Sequence, residues 1–423
     1  MIHGEEILST SRRLNISPEA LQAYLDAGAG KRAAGVTRSL HAMAKPINSA
    51  CNLDCTYCYY LSKEPLLGQT RRRMSDDILE AYIADYIASQ DAAEIAFTWH
   101  GGEPTLLGIE FFEKVVRLQR KHTPPGRRVA NDLQTNGTLL DDKWCAFLKE
   151  NGFLVGLSID GPQRLHDRYR PTKGGEGSFA HVVAAAGRLR RHGIGFGTLS
   201  VVNRDTAKHP LEVYRFLRDT IGARYMQLIP CVEPLGFETT APDAHGDKLK
   251  PRTRPREIVT DWSVAPAAWG RFLVAIFDEW AAHDRGRVKI NLFESFLLQL
   301  NGQPSLMCTS SPFCGKNIAV EHDGSVFSCD HYVYPAHQIG KIGDSSLAEM
   351  VFSVRQLEFG LNKFNTLPSE CRVCPYLNLC WGECPRTRLL KTREGEGNIS
   401  YLCEGWKLFY KHAIPAARRL RLA

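Results

Sequence analysis

Cysteine placement constrains this chain more than any other feature. Eleven of the 13 cysteines fall into two groups: Cys51, Cys55 and Cys58, spaced C-x3-C-x2-C, and a later set of Cys308, Cys314, Cys329, Cys371, Cys374, Cys380, Cys384 and Cys403. The first ten residues lack the basic-then-apolar pattern of a secretory signal, and no apolar run approaches the roughly 18 residues that a membrane span needs. The expected compartment is therefore cytoplasmic, where thiols stay reduced, so grouping of this density points to metal or redox chemistry and not to disulfides. The two leftover thiols, Cys145 within a helical pattern and Cys231 at a strand end, read as buried apolar residues.

The rest of the chain supplies the scaffold. At 43% hydrophobic and 23% charged it is neither disordered, collagen-like nor a small disulfide scaffold. Its net charge of +7 is spread without any block of like charge, so no nucleic-acid arm is expected. Apolar runs at Leu40–Pro46, Glu94–His100, Val129–Gln134, Phe153–Ile159, Phe196–Val202 and Tyr225–Pro230 alternate with helical patterns such as Ser75–Ser89, where Ser75 followed by Asp76 and Asp77 marks a helix start. Six such units predict an α/β fold with a partial or full β/α barrel.

We expect residues 1–36 to form a helical extension, 37–238 the barrel, 239–264 a proline-rich surface insertion, 265–305 a helical bridge with helices at Pro266–Ala282 and Ile290–Leu300, and 306–423 a small metal-organised domain. His322-Asp323-Gly324-Ser325 marks a hairpin. Gly28-Ala29-Gly30-Lys31-Arg32-Ala33 imitates a dinucleotide fingerprint, but no strand precedes it.

The first cysteine group follows the first strand directly, so a loop at the C-terminal end of a barrel strand would hold its three thiolates. Structural zinc wants a fourth ligand, and none lies nearby; a [4Fe–4S] cluster with three thiolates has one iron open to a small molecule. Cys51-Asn52-Leu53-Asp54-Cys55-Thr56-Tyr57-Cys58 resembles the C-x3-C-x-aromatic-C motif of the radical S-adenosylmethionine (SAM) superfamily. The resemblance implies that SAM is held on the open iron, with Gly101, Gly102 and Glu103 of a Gly-Gly-Glu-Pro turn at its ammonium group. It also places Ser158 and Arg170 at the SAM carboxylate and Tyr57 beside the adenine.

Read alone, Cys371-x2-Cys374-x5-Cys380-x3-Cys384 suits a zinc ribbon. Together with the upstream trio, the eight later cysteines resemble the SPASM domain of peptide-modifying radical SAM enzymes. That resemblance implies two auxiliary [4Fe–4S] clusters, one on Cys308, Cys314, Cys329 and Cys384 and the other on Cys371, Cys374, Cys380 and Cys403. Three clusters would carry about −5 in total, which offsets most of the basic excess.

Met43-Ala44-Lys45-Pro46, Leu133-Gln134-Thr135-Asn136-Gly137-Thr138-Leu139 and Phe327-Ser328-Cys329-Asp330-His331-Tyr332-Val333 narrow the likeness to anaerobic sulfatase-maturating enzymes. Those enzymes oxidise a Cys or Ser in a C/S-x-P/A-x-R segment of an unfolded sulfatase polypeptide to Cα-formylglycine. The resemblance implies Asp330 as the base, its pKa raised by the neighbouring anionic cluster, and an electron donor such as flavodoxin or ferredoxin. It also implies Tyr60 and His100 at the peptide, His100 standing where relatives carry Gln. Two alternatives stay open at the level of sequence: a SPASM maturase that crosslinks ribosomal peptides, and a non-catalytic zinc-binding interaction protein.

Overall fold

The computed structural model describes residues 4–31, 36–60, 63, 73–235, 258–395 and 397–420. Residues 239–257 of the expected insertion, and residues 1–3 and 32–35 of the expected N-terminal extension, lie outside that set. Ten strands form the main sheet pairings: β1 (His41–Lys45), β2 (Glu94–Trp99), β3 (Arg128–Thr135), β4 (Leu154–Ser158), β5 (Phe196–Val202), β6 (Tyr225–Pro230), β7 (Lys289–Ile290), β8 (Asn317–Glu321), β9 (Ser325–Phe327) and β10 (Gln338–Lys341). The first six fall where the apolar runs place them. The chain divides into two compact units, with β3 split between them at Asp132 and Leu133.

The first unit comprises residues 1–50, 66–132 and 313–362. Its strands run in the order β10-β9-β8-β1-β2. β1 pairs in parallel with β2 on one side and with β8 on the other, Met43 facing Thr98 and Ala319. The hairpin expected at His322–Ser325 joins β8 to β9 antiparallel. The helix Asp76–Ala88 starts as the sequence dictates, with the Ser75 hydroxyl accepting from the Ile78 N–H and two aspartates in its first turn. It buries Tyr82 and Tyr86 against Phe97 and Trp99 of β2, edge-on or stacked at centroid distances of 4.8–6.1 Å. The N-terminal extension is helical where described, at Gly4–Leu14 and Pro18–Gly28, and Tyr24 donates to the Val351 carbonyl.

The second unit comprises residues 51–65, 133–312 and 363–423. Its strands run β4-β5-β6-β7 in parallel. Its core is formed by the helices Pro266–His283 and Asn291–Leu300, both expected, and Cys403–Arg419. Helices Pro266–His283 and Cys403–Arg419 approach through glycine: a Cβ on Gly270 would sit 2.6 Å from the Gly405 carbonyl oxygen, and one on Gly405 would sit 2.2 Å from that of Pro266. This close seat fixes the start of the last helix, and with it Cys403. Cys145 and Cys231 are buried, as expected.

The stretch read as a surface insertion needs correcting at its C-terminal end. Five of the residues 258–264 are buried, with Ile258, Val259 and Val264 in the core and the Val264 N–H donating to the Cys231 carbonyl, while Asp261 is exposed. Prolines and charges dominate the composition of that stretch and mask the few apolar residues that pin its end.

Candidate active site and cluster-binding segments

In the first unit, β1 delivers Lys45 and β2 delivers His100. Lys45 is fully buried, and its ammonium pairs with the Asp330 carboxylate, which follows Cys329 at the start of a short 3₁₀ turn. The sequence reading set Asp330 only against an anionic neighbour; the structure adds a cation in direct contact, and an ammonium beside a carboxylate favours its ionised form. His100 is half-buried, and the Gly101 N–H donates to its Nδ1 at 2.7 Å. Burial pushes its pKa down to about 4, Asp330 acting in the opposite sense and Lys45 with the burial, so the imidazole is neutral at pH 7 with its proton assigned to Nε2.

The Gly-Gly-Glu-Pro turn is shaped by contact with the backbone. Gly101 has φ +131°, and a Cβ on Gly102 would lie 1.9 Å from the Ala50 carbonyl oxygen. The N–H groups of Gly102 and Glu103 donate to the carbonyls of Asn48 and Ala50, both at 2.8 Å. Glu103 is buried, and its Oε1 accepts from the Thr105 N–H at 3.0 Å and hydroxyl at 2.6 Å. A carboxylate has about four lone-pair sites, so these bonds do not exhaust it. Cys314 and Cys329 also belong to this unit.

In the second unit, Cys51, Cys55 and Cys58 lie on an irregular segment held by backbone bonds to 169–173: Asp54 N–H to the Pro171 carbonyl at 2.9 Å and Thr56 N–H to that of Tyr169 at 3.0 Å. The same stretch carries Arg170, whose guanidinium pairs with Asp160 through Nε at 3.1 Å and Nη2 at 3.3 Å. Tyr57 donates its hydroxyl to the same carboxylate, and the guanidinium lies 5.5 Å from the Tyr57 ring centroid. One edge of the Arg170 fork, Nε and Nη2, is thus already engaged, which leaves the end that carries Nη1 for an outside anion. Ser158 accepts from Gln134 at 2.9 Å. Tyr60 is buried, its ring 5.8 Å from the Lys63 ammonium.

Cys371, Cys374, Cys380 and Cys403 line one pocket together with Tyr376, Leu377, Trp406 and Tyr410. Burial pushes the Cys380 thiol up to about 12 and that of Cys403 up to about 11, with neighbouring cysteines acting in the same direction. Such thiols hold their protons until a metal group displaces them. Among the described residues no three His, Cys, Asp or Glu side chains form a tight single-ion group. Cys308 and Cys384 belong to this unit as well, and the thiol of Cys384 is likewise raised, to about 11, chiefly by burial.

Sequence reasoning missed Lys45, Asp160, Glu233 and Arg386. Glu233, just past β6, forms a buried ion pair with Arg386, two residues after Cys384, and the Arg386 guanidinium lies 5.7 Å from the Tyr59 ring centroid. Lys45 and Asp160 each carried a readable signal, a lone charge at the end of an apolar strand run in the first case and directly after one in the second. Nothing local marks the Glu233–Arg386 pair.

Comparison with known proteins identifies the family. Residues 46–217 match the radical SAM superfamily, and residues 311–375 match the SPASM iron–sulfur cluster-binding domain. These matches and the parallel α/β architecture define a radical SAM enzyme with a SPASM domain. The chain is 41% identical over 380 residues to the serine-type anaerobic sulfatase-maturating enzyme of Bacteroides thetaiotaomicron, covering 89% of this chain and 90% of that protein. It is 34% identical over 383 residues to the cysteine-type enzyme of Clostridium perfringens, covering 89% and 96%. A solved structure described as native anSMEcpe with bound AdoMet and Cp18Cys peptide superposes with a TM-score of 0.78 at 33% identity, over 90% of this chain and 98% of that one. The chain therefore belongs to the anaerobic sulfatase-maturating enzymes. Streptococcus suis SuiB bound to precursor peptide, at 12% identity and a TM-score of 0.60, shares the fold alone.

Proposed function

We propose that the chain converts a Cys or Ser within a C/S-x-P/A-x-R segment of an unfolded sulfatase polypeptide to Cα-formylglycine. The observation that carries this reading is the pairing of the buried Lys45 with the partly exposed Asp330, beside a neutral His100, in a chain aligned over most of its length with sulfatase-maturating relatives. Cys51, Cys55 and Cys58 would hold the first [4Fe–4S] cluster. Cys308, Cys314, Cys329 and Cys384 would hold a second, and Cys371, Cys374, Cys380 and Cys403 a third. When bound and reduced, the first cluster and SAM supply a 5′-deoxyadenosyl radical that takes a hydrogen atom from the substrate Cβ.

The residues of the chain do the rest. Glu103 receives the SAM ammonium and the Gly101-Gly102 turn gives it room. Ser158 and the Nη1 of Arg170 receive the carboxylate, while Tyr57 supplies an aromatic wall. The Asp330 carboxylate accepts the proton of the substrate thiol or hydroxyl, and Lys45 holds that carboxylate ionised and in place. His100 offers Nε2–H, and Tyr60 borders the peptide. The auxiliary clusters, when bound, would supply an acceptor for the electron released by the substrate, and a donor such as flavodoxin or ferredoxin would reduce the first cluster. The reaction belongs in the cytoplasm. Among the described residues no helix is long and apolar enough to cross a membrane.

The test is anaerobic incubation of reconstituted protein with SAM, a reductant and two peptides, one with Cys-x-Pro-x-Arg and one with Ser-x-Ala-x-Arg, read by mass spectrometry. An aldehyde product is expected. Asp330→Asn should still release 5′-deoxyadenosine while formylglycine falls by about 10²–10⁴-fold, the usual contribution of a positioned base. Undiminished product in that variant removes Asp330 from the role.

A further inference from the structure

Two buried cations in the second unit point into the cysteine-bearing segments. Lys363, at the end of the helix Val354–Asn365, is 1% exposed, and its ammonium donates to the carbonyls of Cys308 at 2.9 Å, Thr309 at 3.0 Å and Ser311. Arg388, 7% exposed, donates through Nε to the Gly382 carbonyl at 3.0 Å and through Nη2 to those of Trp381 at 3.2 Å, Glu383 at 3.4 Å and Lys363 at 2.7 Å.

The carbonyls gripped by Arg388 belong to an unusual turn. Trp381, Gly382 and Glu383 are three successive left-handed residues, with φ of +49°, +66° and +57°. The two that are not glycine carry a cost of roughly 1–3 kcal/mol each unless their surroundings hold them. A Cβ on Gly382 would lie 2.3 Å from Leu367 and 2.9 Å from the Arg388 guanidinium. The turn joins Cys380 to Cys384, so it links a proposed ligand of one auxiliary cluster to a ligand of the other. Its Gly382 N–H reaches back to the Cys380 thiol.

Burying an ammonium and a guanidinium costs several kcal/mol per ion after relaxation, and carbonyl dipoles, with the buried Glu383 carboxylate acting on Lys363, offset part of it. Arg388 also acts on the Cys371 thiol, so an anionic cluster held by these cysteines would interact favourably with the charge. Reduction adds one negative charge to a cluster, so a fixed cation nearby favours the reduced state and raises the reduction potential.

On the reading that the eight later cysteines hold two clusters, we propose that Lys363 and Arg388 are positioning residues whose buried charges raise the reduction potential of the auxiliary clusters, making them acceptors for the electron released by the substrate. Lys363 acts at the Cys308 segment, and Arg388 acts at the turn between Cys380 and Cys384.

The experiment is a potentiometric titration, followed by electron paramagnetic resonance, of the anaerobically reconstituted full chain as wild type, Lys363→Gln, Lys363→Met, Lys363→Arg and Arg388→Gln, with iron content measured on each. The charge-free variants should show at least a tenfold lower reduced-to-oxidised ratio for one auxiliary cluster at fixed potential, a shift of about 59 mV for a one-electron couple. Lys363→Arg should stay within threefold of wild type. Full iron with an unmoved midpoint in the charge-free variants overturns the proposal while leaving the cluster assignment standing. Loss of iron from both charge-free Lys363 variants but not from Lys363→Arg also overturns it, because the charge then serves assembly and not potential. A wild-type chain that binds no iron at the later cysteines overturns both readings.

Discussion

Replacing Arg170 by Met tests the most heavily buried charge pairing near the first cysteine group. Asp160 is fully buried and takes three kinds of donor: the Arg170 fork, the Tyr57 hydroxyl and the Val201 N–H at 2.9 Å. Removing the guanidinium leaves a carboxylate with two neutral donors and no cation. Breaking a buried pair in this one-sided way costs about 3–5 kcal/mol. For a unit of this size each kcal/mol moves the midpoint by about 2–4 °C, so thermal unfolding should start roughly 6–20 °C lower. The assay is near-UV circular dichroism at one fixed scan rate, on wild type, Arg170→Met, Asp160→Asn and the double variant, because irreversible unfolding makes midpoints rate-dependent. The double variant should recover at least half of the loss, since neutralising Asp160 removes the orphaned charge. If the double variant's loss equals the sum of the single losses within about 0.5 kcal/mol, the two groups are uncoupled and the reasoning fails.

Gly102→Ala should abolish SAM binding measured by calorimetry, because the new methyl would overlap the Ala50 carbonyl immediately before Cys51; affinity within threefold of wild type would show that the turn yields freely. Stability should also fall with acid between pH 6.5 and 4. His100 and His166 are each lowered to about 4, chiefly by burial, so the unfolded chain takes up protons that the folded chain refuses. Above about pH 6.5 neither state is protonated there and the effect vanishes. Urea midpoints at pH 7.5, 6 and 5 should show this decline, and His166→Asn should flatten it; an unchanged slope would refute the assignment.

Strands and cysteines were legible in the sequence because each has a local signature. β5 and β6 occupy the positions their apolar runs give, and the helix Asp76–Ala88 starts at its Ser75 cap, since periodicity and capping act within a few residues. The spacing of Cys371, Cys374 and Cys380 was readable for the same reason, and the structure gathers them with Cys403 around one pocket. Pairings across distance were not legible. Lys45 meets Asp330 because β8 docks beside β1, and nothing in Met43-Ala44-Lys45-Pro46 announces which carboxylate neutralises its lysine. Arg170 was read as a grip for the cofactor; its prior engagement by Asp160 depends on where the segment after β4 turns back. The left-handed run at Trp381–Glu383 contains one glycine and two large residues, so composition points away from it, and distant groups, Arg388 on its carbonyls and Ser400 on the Glu383 carboxylate, help to hold it.

The parallel pairing of β1 with β8 bears on how the chain is made. Lys45 leaves the ribosome roughly 270 residues ahead of Asn317, an interval of about 15–55 s at ordinary synthesis rates. Throughout it, one side of β1 exposes unpaired amide and carbonyl groups, a template for promiscuous strand addition. Newly synthesised protein in that window should depend on a holding chaperone until the strand that closes the gap emerges.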